Sequence, residues 1–354
     1  MQVKQDNDIS QQLAEAVKAA VQKRTPLTIA GSGSKRFYTG KPEGEPFDVT
    51  AHRGIVSYEP TELVVTARAG TPLAEVETAL AEKGQMLGFE PPYFGATATL
   101  GGTIACGFSG PRRPYAGSAR DFVLGTKIIN GKGEILKFGG EVMKNVAGYD
   151  VSRLMVGAFG TFGVLLEVSL KILPKPAKEL TLSFEMPADK AIATMNAWAG
   201  QPLPLSAACH LDNTLYIRLS GTEPGVRAAS TKLGGAVVEN GDGFWRELRE
   251  HELGYFQDPV PLWRLSVPPA TPPINLPGKW IIDWGGAQRW LKSDAPANTI
   301  HQHAENVGGY ANLFRHEQMN DTTSNRVSAV LATLHQNLKR AFDPDGIINP
   351  ILTA

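Results

Sequence analysis

Apolar residues recur at helical spacing between residues 8 and 24, in the stretch DISQQLAEAVKAAVQKR. Ile9, Leu13, Ala16, Val17, Ala20 and Val21 share one face, which predicts an opening helix. Thr25 and Pro26 end it. The run Leu27 to Ala30 then predicts a strand, and Gly31-Ser32-Gly33-Ser34 a loop of small residues with Lys35 and Arg36 behind it. A second unit repeats this order as strand and helix. Leu63 to Ala69 predicts a strand, Thr71 an N-cap with Pro72 at the first helical position, and Leu73, Val76, Ala79 and Leu80 the buried stripe. Gly84 is the expected C-cap. The hairpin signal is strong further on: strand Val123 to Ile129, turn Asn130 to Gly133, strand Glu134 to Phe138. Gly157, Gly160 and Gly163 lead into a strand from Val164 to Leu173.

Between these elements, residues 91–118 show no period. PPYFGATATLGGTIACGFSGPRRPYAGS is too apolar for a solvated linker and too rich in glycine for a regular core element. It fits close approach of backbone to backbone or to a ligand. Pro174, Lys175 and Pro176 mark a domain boundary. Beyond it come a strand from Leu180 to Phe184, a helix over 188–199, a strand TLYIRLSG, Pro-rich loops at 259–277, and a helix near 322–341. The tail reads FDPDGIINP. The second half is therefore α+β, and no solenoid-type repeat is present.

Composition narrows the function. A chain of 354 residues favours two domains. Lys plus Arg number 35 and Asp plus Glu number 35, which gives no basic stripe for a nucleic acid. The N-terminal stretch is polar, and no window approaches the ~20 apolar residues of a membrane helix. A cytoplasmic protein is the expectation. With only Cys106 and Cys209, the chain has neither a disulfide framework nor the ligands of an iron–sulfur cluster, and both cysteines read as small buried hydrophobes.

The chemistry lies in the glycines. Each Gly-rich stretch, at 30–35, 95–102 and 157–163, reads alone as a turn. GSGSKR is not the dinucleotide fingerprint, because Arg36 stands where a third glycine belongs, and it lacks the Gly-Lys-Ser/Thr ending of a P-loop. Three such stretches beside strands point instead to bare backbone laid against something flat or anionic.

PLTIAGSGSK, GATATLGGTIA, YAGSARDFVLGTKIINGKGEIL, KNVAGYDVSRLMVGAFGTFGVLLEVSLKILP and the tail FDPDGIINP occur in this order. The set resembles an FAD-binding domain of the vanillyl-alcohol-oxidase / p-cresol-methylhydroxylase type. Within that superfamily, and with WIIDWGGAQRWL at 280–291, it is similar to the FAD-binding subunit of bacterial glycolate oxidase. The resemblance implies an α+β fold: a two-subdomain FAD-binding domain over 1–175, an α+β C-terminal oxidase-like domain for substrate or partner over 176–341, and a tail, 342–354, packing back on the first domain. It implies that Ala30, Gly31, Ser32, Gly33, Ser34 and Lys35 hold the FAD pyrophosphate through backbone amides. Gly95, Ala96, Thr99, Gly101, Gly102 and Ala105 would line the cofactor's path. Gly117, Ser118, Arg120 and Asp121 would run near the flavin, and Gly160, Thr161, Gly163 and Val164 would lie against it.

The resemblance further implies oxidation of glycolate to glyoxylate. A base takes the hydroxyl proton, hydride passes from carbon to flavin, and electrons leave through an iron–sulfur subunit; a second, longer FAD subunit completes the complex. The inner membrane would be reached peripherally, through partners. The first loop carries no histidine, and no suitable cysteine follows, so FAD is expected to be noncovalent. The His-x-Gly-Asp-Gly-Asn-x-His run of metal-bearing relatives is absent. His210 has no second histidine at ligand spacing, and His301 and His303 read as a polar loop or helix surface. His52, His251, His316 and His335 read as surface or satisfied core. Arg264, Arg289 and Arg315 suit a substrate carboxylate or a surface ion pair equally well. No catalytic base and no metal are assigned. Two other readings remain open: a non-catalytic flavin-fold interaction subunit, and a stand-alone FAD-dependent 2-hydroxy acid dehydrogenase.

Overall fold

The computed structural model describes residues 6–39, 43–140, 150–315 and 329–350. The chain divides into two compact units. The first comprises Met1–Ser109, Ser118–Lys175 and Arg326–Ala354; the second comprises Gly110–Gly117 and Pro176–Asn325.

In the first unit the opening helix, Ser10–Lys23, buries Leu13, Val17 and Ala20 of the expected stripe, with Ala14 buried in place of Ala16, which is exposed. Arg24 closes it in the left-handed region at φ 53°. Strand β1 (Leu27–Ala30) follows and pairs in parallel with β2 (Glu45–Asp48). The other edge of β1 is taken by the C-terminal segment: Leu27 N–H donates to Ile347 O at 2.7 Å, and Asn349 N–H donates to Leu27 O at 2.8 Å. The larger sheet of this unit is antiparallel in the order β3 (Ile55–Glu59), β4 (Val64–Arg68), β8 (Val164–Lys171), β6 (Val123–Ile129), β7 (Ile135–Gly139). A short pair, β5 (Gln85–Met86) with β9 (Leu173–Pro174), completes it. Leu13, Val17, Leu27, Phe47, Ile129, Val164, Leu166 and Ile348 form one buried cluster that joins helix, both sheets and tail.

The β6–β7 turn is built by Asn130, whose Oδ1 accepts the N–H groups of Lys132 and Glu134, each at 3.0 Å. Gly133 there has φ +74°, a conformation for which glycine carries no Cβ penalty.

Three local expectations are corrected. Thr71 is not the N-cap of helix Leu73–Ala81; Pro72 holds that position. The Thr71 hydroxyl is spent on Gly54 instead, accepting its N–H at 2.9 Å and donating to its carbonyl at 3.1 Å. Gly84 is not the C-cap either: the helix stops at Glu82, and Gly84 turns the chain two residues later at φ +66°. Residues 100–106, which looked too rich in glycine for a regular element, form the helix Leu100–Cys106. Thr99 caps it by accepting Gly102 N–H at 3.2 Å.

The second unit is an eight-stranded antiparallel sheet. Its members are β10 (Lys178–Glu185), β11 (Leu205–Leu211), β12 (Thr214–Gly221), β13 (Ala236–Val237), β14 (Leu262–Ser266), β15 (Lys279–Asp283), β16 (Gln288–Lys292) and β17 (Tyr310–Arg315), in the order β13-β10-β12-β11-β15-β16-β14-β17. Asp212 and Asn213, at φ 47° and 59°, make the tight β11–β12 turn. Helices Ala188–Ala199 and Glu223–Leu233 supply Ala191, Ile192, Met195, Val226 and Ala229 to one core, against Leu182, Ile217 and Leu219. Helix Ala297–Asn306 packs Ile300 and Ala304 against Trp263, Leu265 and Leu291 in another.

The division departs from the sequence boundaries at two places. Residues 110–117 belong to the second unit, where the Arg112 guanidinium meets Glu179 at 2.5 Å and Ser220 Oγ at 3.4 Å. The last helix, Ala329–Phe342, belongs to the first unit, where Lys339 Nζ donates to Thr161 O at 2.8 Å. Residues 110–117 are held further by Trp284 Nε1, which donates to Gly110 O at 3.0 Å, and by Tyr115 against the core; Phe342, at the end of the last helix, packs on Phe138 and Phe162. Residues 322–328 of the expected last helix lie outside the described residues.

Candidate functional site

β1 ends at Ala30, whose carbonyl accepts Val49 N–H at 3.0 Å. The chain then turns through Gly31-Ser32-Gly33-Ser34, with Gly33 at φ +74° and Arg36 N–H closing onto Gly33 O at 3.0 Å. Among the described residues, the backbone N–H groups of Gly31, Ser32, Gly33 and Ser34 have no acceptor. These four residues are half-buried, so their amides stand open to a ligand oxygen at the cleft. The buried Lys35 ammonium donates to Tyr93 O at 3.0 Å and to Ser34 Oγ, in the loop itself, at 3.4 Å.

Facing the loop is the turn of helix Leu100–Cys106. A Cβ on Gly31 or on Gly102 would lie 3.1 Å from Thr99 Oγ1, and one on Gly101 would lie 2.6 Å from the Ala69 methyl. Gly101 N–H is fixed to Ala69 O at 2.7 Å. The remaining wall is the loop before β8. Gly157 N–H donates to Ile104 O at 3.1 Å and Phe159 N–H to Ala105 O at 2.8 Å, so this loop is stitched to the same helix. Tyr38, Phe94, Phe108 and Phe159 make a connected edge-to-face and tilted ring cluster, with neighbouring centroids 5.2 to 6.2 Å apart.

The three stretches enclose a cleft of about 160 Å³. Of the residues singled out from the sequence, Gly31, Ser32, Gly33, Ser34, Lys35, Thr99, Gly101, Gly102, Ala105, Gly160 and Gly163 line it. The others lie outside its lining. Ala30 is the end of β1, and Gly95 and Ala96 are exposed, Gly95 standing beside Ser34. Thr161 is buried with its carbonyl on Lys339, and Val164 sits in the hydrophobic cluster. Gly117 is assigned to the second unit. Asp121 accepts the N–H and hydroxyl of Ser118, both at 2.8 Å, which closes a short helix and leaves Arg120 exposed.

Sequence reasoning missed Thr28, Ile29, Arg36, Glu43, Val49, Ala69, Cys106, Phe159, Leu165, Asn349 and Pro350 in this lining. Thr28 and Ile29 belong to the strand predicted next to the loop, with no site role given to them; Asn349 and Pro350 lie in the tail FDPDGIINP, which the resemblance packs on the first domain without a role for either residue. Cys106 is also corrected: it is half-buried at the cleft, not a core hydrophobe like Cys209. Burial pushes its thiol up to about 12 despite nearby Lys35, so it stays a neutral thiol at physiological pH.

Unpaired amides at one end, walls in which Gly101, Gly160 and Gly163 leave no room for a Cβ, and a basic rim of Lys35 and Arg36 fit a dianionic pyrophosphate joined to flat rings. A family model described as an FAD binding domain matches residues 9–139. Glycolate oxidase subunit GlcE of Escherichia coli (strain K12) is 52% identical over 343 residues, which is 97% of this chain and 97% of that protein. The chain belongs to the glycolate oxidase subunit GlcE family. FAD is accordingly the cofactor of this GlcE-family chain. Glycolate oxidase subunit GlcD of Bacillus subtilis (strain 168) is 32% identical over 161 residues, 45% of this chain and 34% of that protein. The solved structure of an alkyldihydroxyacetonephosphate synthase, 16% identical, superposes with a TM-score of 0.68 over 96% of this chain and 74% of that one. That likeness places the GlcE-family chain in the same two-part α+β fold.

Within the second unit the polar candidates have structural tasks. Arg289 is fully buried and donates to the carbonyls of Gly286 (2.8 Å), Pro272 (3.3 Å) and Thr271 (2.5 Å); it is neither a surface ion-pair partner nor open to a substrate. Arg264 Nε donates to Gln288 at 2.8 Å. His210 bonds Met186 O at 3.0 Å. His301 packs edge-on against Trp263, while His303, two residues on along the helix, bonds Thr299 O at 2.8 Å. His316 lies outside the described residues.

Proposed function

We propose that this chain is the FAD-carrying subunit of a complex that oxidises glycolate to glyoxylate, working with a longer flavin subunit related to GlcD and with an iron–sulfur subunit. The observation that carries the reading is the set of four amides from Gly31 to Ser34, without an acceptor among the described residues, at a glycine-lined cleft, in a chain 52% identical to a glycolate oxidase subunit over nearly its full length. Bound noncovalently, FAD supplies a two-electron acceptor for the hydrogen on the hydroxyl-bearing carbon of a small 2-hydroxy acid. The loop amides hold the pyrophosphate, Lys35 and Arg36 offset its charge, and Gly101, Gly102 and Gly160 let the backbone approach the rings. Cys106, held as a neutral thiol, does not attack the cofactor.

The cleft lining, among the described residues, offers lysine, arginine and Glu43 but no histidine. This favours turnover that requires the partners over turnover by the chain alone. Among the described residues no helix is long and apolar enough to cross a membrane, which fits a cytoplasmic subunit that reaches the inner membrane through its partners.

The test is the visible spectrum of the purified chain before and after anaerobic glycolate, alone and with the two partner subunits. Flavin bands that bleach only with the partners present are expected. Absence of flavin makes the chain an interaction subunit, and bleaching by the chain alone makes it a self-sufficient dehydrogenase.

A further inference from the structure

We propose that Asn349 is a cofactor-binding residue, and that the segment Asp343–Pro350 is the wall that retains FAD in the cleft. The proposal rests on the FAD assignment and names residues from the far end of the chain.

Asn349 Oδ1 accepts Ile29 N–H at 2.8 Å, and its Nδ2 donates to Phe159 O at 2.7 Å. Ile29 and Phe159 lie on the two sides of the cleft, so this one amide bridges them. A carboxamide has two acceptor positions and two donor hydrogens. Each atom has spent one, and among the described residues the remaining donor and acceptor have no protein partner. Asn349 itself lines the cleft. The side chain therefore offers the cofactor a donor and an acceptor while holding the walls together.

Two features show that the position is built for asparagine. Its φ is +41°, in the left-handed region that asparagine tolerates better than most residues. Gly160 makes the room: a Cβ there would lie 2.9 Å from Asn349 Nδ2 and 2.8 Å from Ile29 Cδ1. The segment is also locked from behind. Lys339, in the last helix, donates to Asp343 Oδ2 at 2.6 Å, to Thr161 O at 2.8 Å and to Ile348 O. The Asp343 carboxylate accepts the N–H groups of Ile347 at 3.0 Å and Ile348 at 2.8 Å. Every charge in this knot is buried and paired, so the segment meets the cofactor in one prepared conformation.

The experiment compares the full chain with Asn349→Gly, Asn349→Asp and Gly160→Ala, using FAD itself. It reads the flavin-to-protein ratio, the rate of flavin release on dilution by recovery of FAD fluorescence, and the melting temperature of the flavin-free protein. Asn349→Gly keeps the backbone relaxed and removes only the amide. Asn349→Asp keeps the acceptor for Ile29 but loses the donor to Phe159. We expect release to quicken at least ten-fold in both and in Gly160→Ala, with flavin-free Asn349→Gly still folded and its melting temperature lowered only by the loss of the bonds to Ile29 and Phe159. Wild-type release rates in Asn349→Gly and Asn349→Asp overturn the proposal. So does a fall in the flavin-free melting temperature with FAD affinity preserved, which makes the segment purely structural. Wild-type protein that takes up no FAD overturns the cofactor assignment as well, which separates the two failures.

Discussion

The cofactor cleft of the first unit and the β14–β16 region of the second handle backbone polarity in opposite ways. In the cleft, four backbone donors from Gly31 to Ser34 are left without acceptors among the described residues. In the second unit, side chains are spent on backbone acceptors: Arg289 serves three carbonyls, and Lys292 serves those of Phe256 (3.4 Å), Val260 (3.1 Å) and Asp258. Burial pulls Arg289 down to about 10 and lowers Lys292, yet Arg289 remains charged at neutral pH. The cost of burying those cations is offset by hydrogen bonds within the fold, so they have nothing to offer a ligand. The amides of the loop do. What distinguishes a binding region from a structural one is thus the direction of the unmet polarity, not the number of polar groups.

The sharpest way to break this contrast is Gly33→Asp. It sets a carboxylate beside the amides, and its Cβ meets only the flexible Arg36 side chain, at 3.3 Å. Flavin retention is expected to vanish while far-UV circular dichroism stays native; stoichiometric flavin in this variant would remove the loop's pyrophosphate role. The complementary change is Arg289→Met. It strands the buried carbonyls of Thr271 and Gly286 together with that of exposed Pro272 and is expected to cost on the order of 3 kcal/mol in urea unfolding, with flavin content per folded molecule unchanged. Loss of flavin without loss of stability would reverse the assignment of roles.

A smaller effect compares one buried histidine from each region. His52 is fully buried, and its Nδ1 accepts Ile9 N–H at 3.2 Å; His251 is stacked on Phe256 with centroids 4.0 Å apart. Burial holds both below the usual imidazole range, with Arg68 adding to the effect at His52 and Arg315 at His251. Each binds its proton more weakly in the folded state than in the unfolded chain. Their contribution is therefore complete above the unfolded value of about 6.5 and is lost as pH falls below it. Stability measured from pH 7.5 to 5.5 (~2 pH units, spanning the imidazole range) is expected to decline in the wild type. The decline shallows in His52→Gln or His251→Gln and flattens further in the double variant; an unchanged slope in both singles would count against it. The smallest effect is a control: Arg246→Ala removes an exposed pair with Glu252 at 2.9 Å and is expected to change stability by no more than ~0.5 kcal/mol.

Much of this was legible in the order of residues. Strand Leu27–Ala30 and helix Ala188–Ala199 occupy the residues their periodicity assigned, because one apolar face decides both. Helix Leu100–Cys106 stayed hidden because Gly101 and Gly102, poor helix formers, are there to let the helix meet Ala69 and Thr99 closely. Eleven lining residues are among those the resemblance implied; the glycines of GSGSK, TLGG and FGTFG pointed only to bare backbone near a ligand. Arg289 and Asn349 could not be read in advance. Their partners, Thr271 and Ile29, are fixed by tertiary approach and leave no local pattern.

The pairing of β1 with the C-terminal segment also sets a timetable. Ile29 and Asn349 are separated by 320 positions, so the cleft lacks one edge until nearly the whole chain has left the ribosome. At typical synthesis rates that interval lasts roughly 15 seconds to a minute, longer than most domains need to fold. The nascent chain thus carries an open cofactor cradle through most of its own production, and stable cofactor loading becomes a late event in its biogenesis.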